Sequence, residues 1–409
     1  MSRTTIAAPD TCARRPPRTA EKIGFALACL FATAALLGGV YMSVGRNNGP
    51  PDFRMFYAAG LIARHYGPQH LYDPLLQQRI ELALSSGAQL LVYNHTPLEA
   101  LLFWPLAALP FRAALLAWSA VTLAVFAASL LGLRSTGRRL QSPFHVAFSI
   151  IAGLLLVAVL SIGQDTIFLL PVLLGGLLLL QRGREAAAGA VLGLGLYRFE
   201  VMLPLLAIFA LRRRWRLLSG AAAVAALGLL GSWALVGTAG LRAYLQLLLA
   251  SGQVKGGWGG VDPVSMPNLR GLLVVLLGGV LPPRLLLAVI VLASVALLLW
   301  AARCCTALDA PGDPRLPLHY SIAITAALLA SYHLLVYALT PLIVAAFVDA
   351  TFAAPGKLFR LPSMLLVPLL LAPFAVALGA RLAYAWGAPL LLGFMLLLAR
   401  RARRLPDAP

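Results

Sequence analysis

The sequence predicts an all-α polytopic membrane protein, and three observations carry that prediction. Of the 409 residues, 60% are hydrophobic and 11% charged, against roughly half and roughly a quarter in a soluble domain, and the mean hydropathy is +0.86. Apolar runs of membrane length recur along the chain, and at roughly 30 residues per span and loop there is room for about ten to twelve transmembrane or half-spanning helices. The basic residues, 33 against 14 acidic ones, gather in short clusters between the runs: Arg14, Arg15 and Arg18; Arg134, Arg138 and Arg139; Arg182 and Arg184; Arg212, Arg213, Arg214 and Arg216; Arg400, Arg401, Arg403 and Arg404. Short Arg-rich loops mark the cytoplasmic side of a membrane. The net charge of +19 is therefore topogenic, and no nucleic-acid partner is implied.

Each element follows in order. Residues 1–22 are polar, basic and Pro-containing, and predict a disordered cytoplasmic segment. Residues 23–43 form a first span. Its length, and the lack of a small-x-small site at Tyr41-Met42-Ser43-Val44-Gly45, mark an uncleaved anchor rather than a signal peptide. Residues 46–96 are the longest polar stretch and form a first outer loop. Within it Phe53, Phe56, Tyr57, Gly60, Leu61 and Tyr66 recur at near-helical spacing, interrupted by Arg54, Arg64 and His65. That pattern predicts an amphipathic helix in the membrane interface. Tyr72-Asp73-Pro74 starts a second short helix that stops near Gly87. Apolar runs follow at 97–110, 112–133, 144–161, 166–181, 185–211 and 217–236. A second outer loop covers about 237–267, and further runs lie at 268–281, 283–302, 316–352, 361–379 and 382–399. Residues 23–400 thus read as one integral membrane domain, followed by a basic cytoplasmic tail at 401–409. Both termini are expected in the cytoplasm of a cell inner (plasma) membrane. The scarcity of Lys beside Arg and the richness in Ala and Leu suggest a GC-rich bacterial genome.

The Arg clusters constrain the path of the chain. Arg182 and Arg184 precede the run 185–211, and Arg212 to Arg216 follow it. As one helix its 27 residues would extend about 40 Å and put the clusters on opposite faces. Two short helices meeting near Tyr197-Arg198 keep both clusters inside. The same argument folds 316–352 back at Ser331-Tyr332-His333, between Arg315 and the pair Lys357 and Arg360. The runs 144–161 and 166–181 turn at Ser161-Ile162-Gly163-Gln164-Asp165. Asp52, Gln164, Arg198 and His333 are therefore all expected on the outer side. A charged side chain at membrane depth costs about 2.5–3.5 kcal/mol on insertion scales, which is retained where it has a function or a partner.

The residues themselves leave several roles open. Asp52 can act as a general base on a hydroxyl, can bind a metal, or can cap the helix beginning at Phe53. Arg198 can clamp a phosphate, pair with Glu200, or snorkel to the interface. His333 can hydrogen-bond a phosphate or be a satisfied buried histidine. His65, His70 and His95 share the first outer loop, but their spacing fits no standard ligand pattern, and no metal is expected. Gly256-Gly257-Trp258-Gly259-Gly260 lacks a Walker Lys-Ser/Thr and a strand, so it reads as a flexible loop with an interfacial Trp. Cys12, Cys29, Cys304 and Cys305 form no disulfide or metal spacing.

The run Asp52-Phe53-Arg54-Met55-Phe56-Tyr57-Ala58-Ala59-Gly60, followed by Gly67 and Leu71-Tyr72-Asp73-Pro74, resembles the opening of glycosyltransferase family 87. So do Tyr93-Asn94-His95-Thr96-Pro97-Leu98, Trp104-Pro105-Leu106, Leu109-Pro110, Gly163-Gln164-Asp165-Thr166, the block 188–195, the Arg-Trp-Arg around Trp215, and Ser265-Met266-Pro267-Asn268-Leu269-Arg270-Gly271, in that order. The resemblance covers about residues 50–345. It implies a GT-C-like bundle and a mannosyltransferase that uses a polyprenyl-phosphate sugar on the extracytoplasmic face. It implies Asp52 as the catalytic base, Arg198 beside the donor phosphate where many members carry Lys, and His333 near the donor. Arg54, Tyr57, Tyr72, His95, Gln164, Asn268 and Arg270, within the same motifs, are further substrate-site candidates. Two positions depart from the pattern: Arg stands for Lys at 198, and Ala338 follows Tyr337 where relatives often carry an acid. Both bear on donor or acceptor specificity.

The chemistry is compatible with these residues. A phosphate leaves without a proton, so one carboxylate suffices for a single displacement with inversion. The partners implied are the polyprenyl-phosphate sugar, a glycolipid or glycan acceptor, and membrane lipids. No cofactor is expected beyond the lipid-linked donor substrate. The alternative reading is a multi-pass transporter or flippase, for which matching inverted halves are expected and none is evident. A polymerase or ligase of lipid-linked glycans shares the large outer loops.

Overall fold

The computed structural model describes residues 49–84, 91–136, 140, 144–251, 262–352, 362–377 and 383–405. The expected first span at 23–43, the segment before it, the glycine-rich run 256–260 and the end of the basic tail lie outside the described residues. All regular elements described are helical: α1 (Pro51–His65), α2 (Pro74–Leu84), α3 (Phe111–Gly132), α4 (Phe144–Ile162), α5 (Leu169–Gln181), α6 (Glu185–Leu194), α7 (Phe199–Leu211), α8 (Trp215–Ser251), α9 (Leu269–Leu277), α10 (Pro283–Cys304), α11 (Leu316–Ala330), α12 (Leu342–Thr351), α13 (Leu366–Ala377) and α14 (Gly387–Ala402). Five helical stretches are long and apolar enough to cross a membrane: 111–136, 185–211, 215–250, 283–304 and 383–402. Shorter apolar helices at 147–162, 166–181, 316–330, 336–351 and 362–373 complete an all-α polytopic membrane protein.

The run 185–211 is folded back on itself. Helix α6 gives way to a 3₁₀ turn at Gly195–Arg198, where Arg198 leaves helical geometry (φ −107°, ψ 60°), and α7 returns from Phe199. The two ends of the run meet: Arg214 Nη2 lies 2.6 Å from Glu185 Oε1. Helix α8 then climbs parallel to α6. A Cβ on Gly189 would lie 1.8 Å from the Leu217 carbonyl oxygen, and one on Gly220 would lie 2.0 Å from that of Ala186, so two backbones touch where only glycine allows it. Gly189→Val should therefore lower stability by at least about 1–3 kcal/mol through overpacking, read as an earlier thermal transition in detergent. Gly228→Ala, with open space around its Cβ, should leave the transition within about 0.5 kcal/mol.

Three helical hairpins, α4/α5, α6/α7 and α11/α12, present their tips to one another. Thr166 Oγ1 donates to the Tyr337 carbonyl at 2.9 Å, and Thr340 Oγ1 donates to the Thr166 carbonyl at 3.0 Å. At the opposite end the basic clusters are answered by acids. Arg212 and Arg214 both reach Asp309, Arg315 Nη2 pairs with Asp313 Oδ2 at 2.7 Å, and Arg401 binds Asp349 at the foot of α12. One end of the bundle is thus Arg-rich and the other carries the tips.

Two apolar cores follow. The larger joins α4 to α7 with α11, α12 and α14. The smaller is aromatic and carries the tip-side loops: Phe53, Phe56, Tyr93, Phe103 and Trp118 are all at most 4% exposed. Helix α1 belongs to this second core. It is buried from Asp52 to Gly60, so both of its faces pack on protein. The expected second outer loop, about 237–267, carries helix in its first part. Gly237 (φ 68°) breaks α8, but helix resumes to Ser251 and Tyr244 packs its ring 5.1 Å from that of Tyr72. Leu227, Leu229, Leu230 and Trp233 on α8, with Leu285 and Leu292 on α10, are exposed, apolar surfaces suited to lipid.

Candidate active site

Asp52 lies in the first turn of α1. Pro50 is the residue at the cap, and no side-chain cap bond is made. Its carboxylate instead faces the α4/α5 tip, where Gln164 Nε2 donates to Asp52 Oδ2. The close approach depends on Gly163, which has φ 81° and leaves room for Phe53; a Cβ there would sit 2.4 Å from the Phe53 Cβ. Trp118 Nε1 donates to the Gly163 carbonyl at 3.1 Å and anchors the turn from α3.

Gln164 joins acid to cation. Its Oε1 accepts from Arg198 Nη2, and the same Nη2 donates to Asp165 Oδ1. Arg198 Nη1 lies 3.7 Å from Glu200 Oε1, and the Tyr197 hydroxyl donates to the Asp165 carbonyl at 3.2 Å. The Arg198 Nε–H is buried with no hydrogen-bond acceptor, a donor left for something that binds. Burial raises the Asp52 carboxyl to about 6, against the Gln164 hydrogen bond and the Arg198 charge that pull it down. It is thus an ionised acceptor at neutral pH that binds a proton far more readily than a solvated aspartate.

Beside this chain stand His95, Glu99 and Asp165, from loops 66 residues and more apart. His95 Nδ1 lies 2.8 Å from Glu99 Oε1, and one ligand atom from each of the three residues falls within 4.8 Å of the others. Burial lifts Glu99 and Asp165 to about 7 each and presses His95 down to about 3, with Arg198 adding to the same effect. Among the described residues these three are the group close enough together to share one cation. His65 and His70 are exposed and take no part.

The other sequence candidates divide. Arg54 is buried and its charge reaches Glu81 and Asp52. The Tyr57 hydroxyl donates to the Leu109 carbonyl at 2.6 Å, and that of Tyr72 to the His95 carbonyl at 2.7 Å, so both fasten loop backbone. Asn268 accepts from Gly271 N at 3.0 Å as the cap of α9 and donates to the Ser331 carbonyl at 2.6 Å. Arg270 stacks on Tyr332 at 3.8 Å, donates to the Tyr332 carbonyl at 3.0 Å and stands 3.3 Å from His333 Nδ1. His333 therefore sits with Arg270 rather than with Arg198. Burial, with Arg270 adding to it, brings His333 down to about 4, so it is a neutral imidazole at pH 7. Glu99, Asp165 and Glu200 were absent from the sequence candidates; their signal is an acid inside an apolar stretch, in a chain with 14 acids in all.

A carboxylate poised to accept a proton, joined through one amide to a buried guanidinium at the ends of membrane-length helices, defines an integral membrane enzyme. Which chemistry it serves is decided by kinship: the model of glycosyltransferase family 87 matches residues 93–332, more than half of the chain, and the protein belongs to that family. It is accordingly a membrane glycosyltransferase. The matched stretch contains His95, Glu99, Gln164, Asp165, Arg198, Asn268 and Arg270; Asp52 precedes it and His333 follows it by one residue. No curated protein and no solved structure matches the chain.

Proposed function

We propose that the protein transfers a hexose, mannose in our reading, from a polyprenyl-phosphate donor to a hydroxyl of a glycolipid or glycan acceptor, with inversion. The observation that carries this reading is the Asp52–Gln164–Arg198 chain with its buried, unanswered guanidinium Nε–H. The acceptor oxygen attacks the anomeric carbon as Asp52 takes its proton. The bond from that carbon to the phosphate oxygen breaks, and its electron pair leaves on the phosphate, whose charge Arg198 meets. Gln164 holds base and cation in register. A prenyl chain fits the exposed apolar faces of α8 and α10 better than water does. We place the site on the extracytoplasmic side, because the Arg-rich end of the bundle matches cytoplasmic loops. On this reading both termini are cytoplasmic; reporter fusions at residues 1 and 409 should be active only inside, and an outside-active reporter at either end reverses the sidedness.

Purified protein in nanodiscs, supplied with radiolabelled polyprenyl-phosphate mannose and a lipid extract as acceptor, should yield labelled product with the anomeric configuration inverted. Use of a nucleotide sugar in place of the lipid donor, or retention of configuration, contradicts the reading. The rate should also fall as pH drops through about 6, because only ionised Asp52 accepts a proton and its pKa is raised to that value. The groups whose charge acts on it are Arg198, Asp165 and Arg54. A pH–rate profile should therefore show an acid limb with a tenfold loss per unit well below about pH 6. A profile flat from pH 7 to 4.5 contradicts Asp52 as the base.

A further inference from the structure

Within the site the charges do not balance. Asp52, Glu99, Asp165 and Glu200 are four carboxyls that each feel the Arg198 charge, Arg54 is a second cation for Asp52 alone among them, and the proposed donor adds a further anion. Arg198 answers Asp165 through Oδ1 alone. The Asp165 Oδ2 and the Glu99 Oε2 are buried with no N–H or hydroxyl donor; the Glu99 Oε1 meets the His95 ring nitrogen at 2.8 Å, and the two carboxyls lie within reach of one another. Native interiors rarely leave one carboxylate oxygen without a donor, and here two stand together beside a ring nitrogen. Either protons or a cation must sit among them. The spacing is too tight for a sugar ring between the groups, since the three ligand atoms lie within 4.8 Å of one another, which is the scale of a single ion.

We propose that His95, Glu99 and Asp165 form a divalent-cation site of the Mn²⁺ or Zn²⁺ class. An imidazole beside two carboxylates favours a first-row metal over Mg²⁺ or Ca²⁺, which prefer oxygen throughout. Three protein ligands leave coordination positions open. The site is contiguous with Arg198 through Asp165. Its role, which rests on the donor-phosphate reading above, is to offset the carboxyl excess so that an anionic phosphate can approach. The existence of the site stands on the three side chains alone.

Full-length protein in nanodiscs, stripped with chelator and titrated with Mn²⁺, tests this by electron paramagnetic resonance. One Mn²⁺ per chain should bind, Zn²⁺ should displace it, and pulsed spectra of the wild type should show a directly bound ¹⁴N from His95. Glu99→Gln and His95→Gln should each weaken binding by about tenfold or more, and His95→Gln should abolish the nitrogen coupling, while Asp52→Asn keeps both. No saturable binding, no ¹⁴N coupling in the wild type, or unchanged affinity in both variants overturns the site. Lipid-donor transfer that persists in chelator, with no Mn²⁺ bound, overturns the cation and leaves the transferase reading intact. Mn²⁺ binding with ¹⁴N coupling but no lipid-donor transfer supports the site and removes the polyprenyl-phosphate-donor reading instead.

Discussion

Asp52→Asn should retain the fold and the donor and lose roughly 10²–10⁴ in turnover, the usual contribution of a positioned base. The substitution is nearly isosteric, and its amide can still meet Gln164, so the contact that carries α1 onto the α4/α5 tip survives. A helix-cap role would predict little effect, because Asn and Asp cap about equally; the structure shows no cap bond from Asp52. Turnover, thermal stability and donor binding measured on one preparation separate the possibilities. Lost turnover with stability and donor binding unchanged supports the base; near-normal turnover removes it.

Arg198→Met should have the second large effect, about 10²–10³ in rate, typical of removing one donor from a developing anion. It should also weaken donor binding, and it leaves Asp165 without its partner, a loss of about 3–5 kcal/mol when a buried pair is broken. Arg198→Lys should restore part of both, since the charge remains while the planar guanidinium, with its Nη2 on Gln164 and Asp165 and its Nη1 toward Glu200, is gone. A Met variant as active as the Lys variant contradicts a role at the phosphate. Steady-state kinetics at varied donor concentration, alongside thermal unfolding, distinguish lost binding from lost fold.

Much of this arrangement was legible in the chain because topology has simple rules. Clustered Arg residues on both sides of 185–211 require a turn near Arg198, and the Glu185–Arg214 pair shows that the ends meet. The spacing of Phe53, Phe56 and Tyr57 announces a helix at 51–65, but periodicity cannot say what covers its other face; the aromatic core from Tyr93, Phe103 and Trp118 does. Gly237 reads as a stop, and its φ of 68° breaks the helix there; the helical segment that resumes to Ser251 was not read from the chain. His333 was expected beside Arg198, since both stand at hairpin tips. A tip is broad enough for two clusters, and Arg270 claims the imidazole. Glu99 joins Asp165 across 66 residues only through packing of the loop against the α4/α5 turn, a contact that no local spacing encodes.

The most direct measurement is a structure of the protein with its lipid-phosphate sugar bound. The account predicts a phosphate oxygen within hydrogen-bond distance of Arg198, about 2.7–3.2 Å, taking the Nε–H that has no acceptor here. It also predicts the anomeric carbon turned so that an acceptor hydroxyl can approach between it and Asp52. A phosphate bound at Arg270 and His333, or at the Arg212–Arg214 end of the bundle, with Asp52 remote from the sugar, would contradict it.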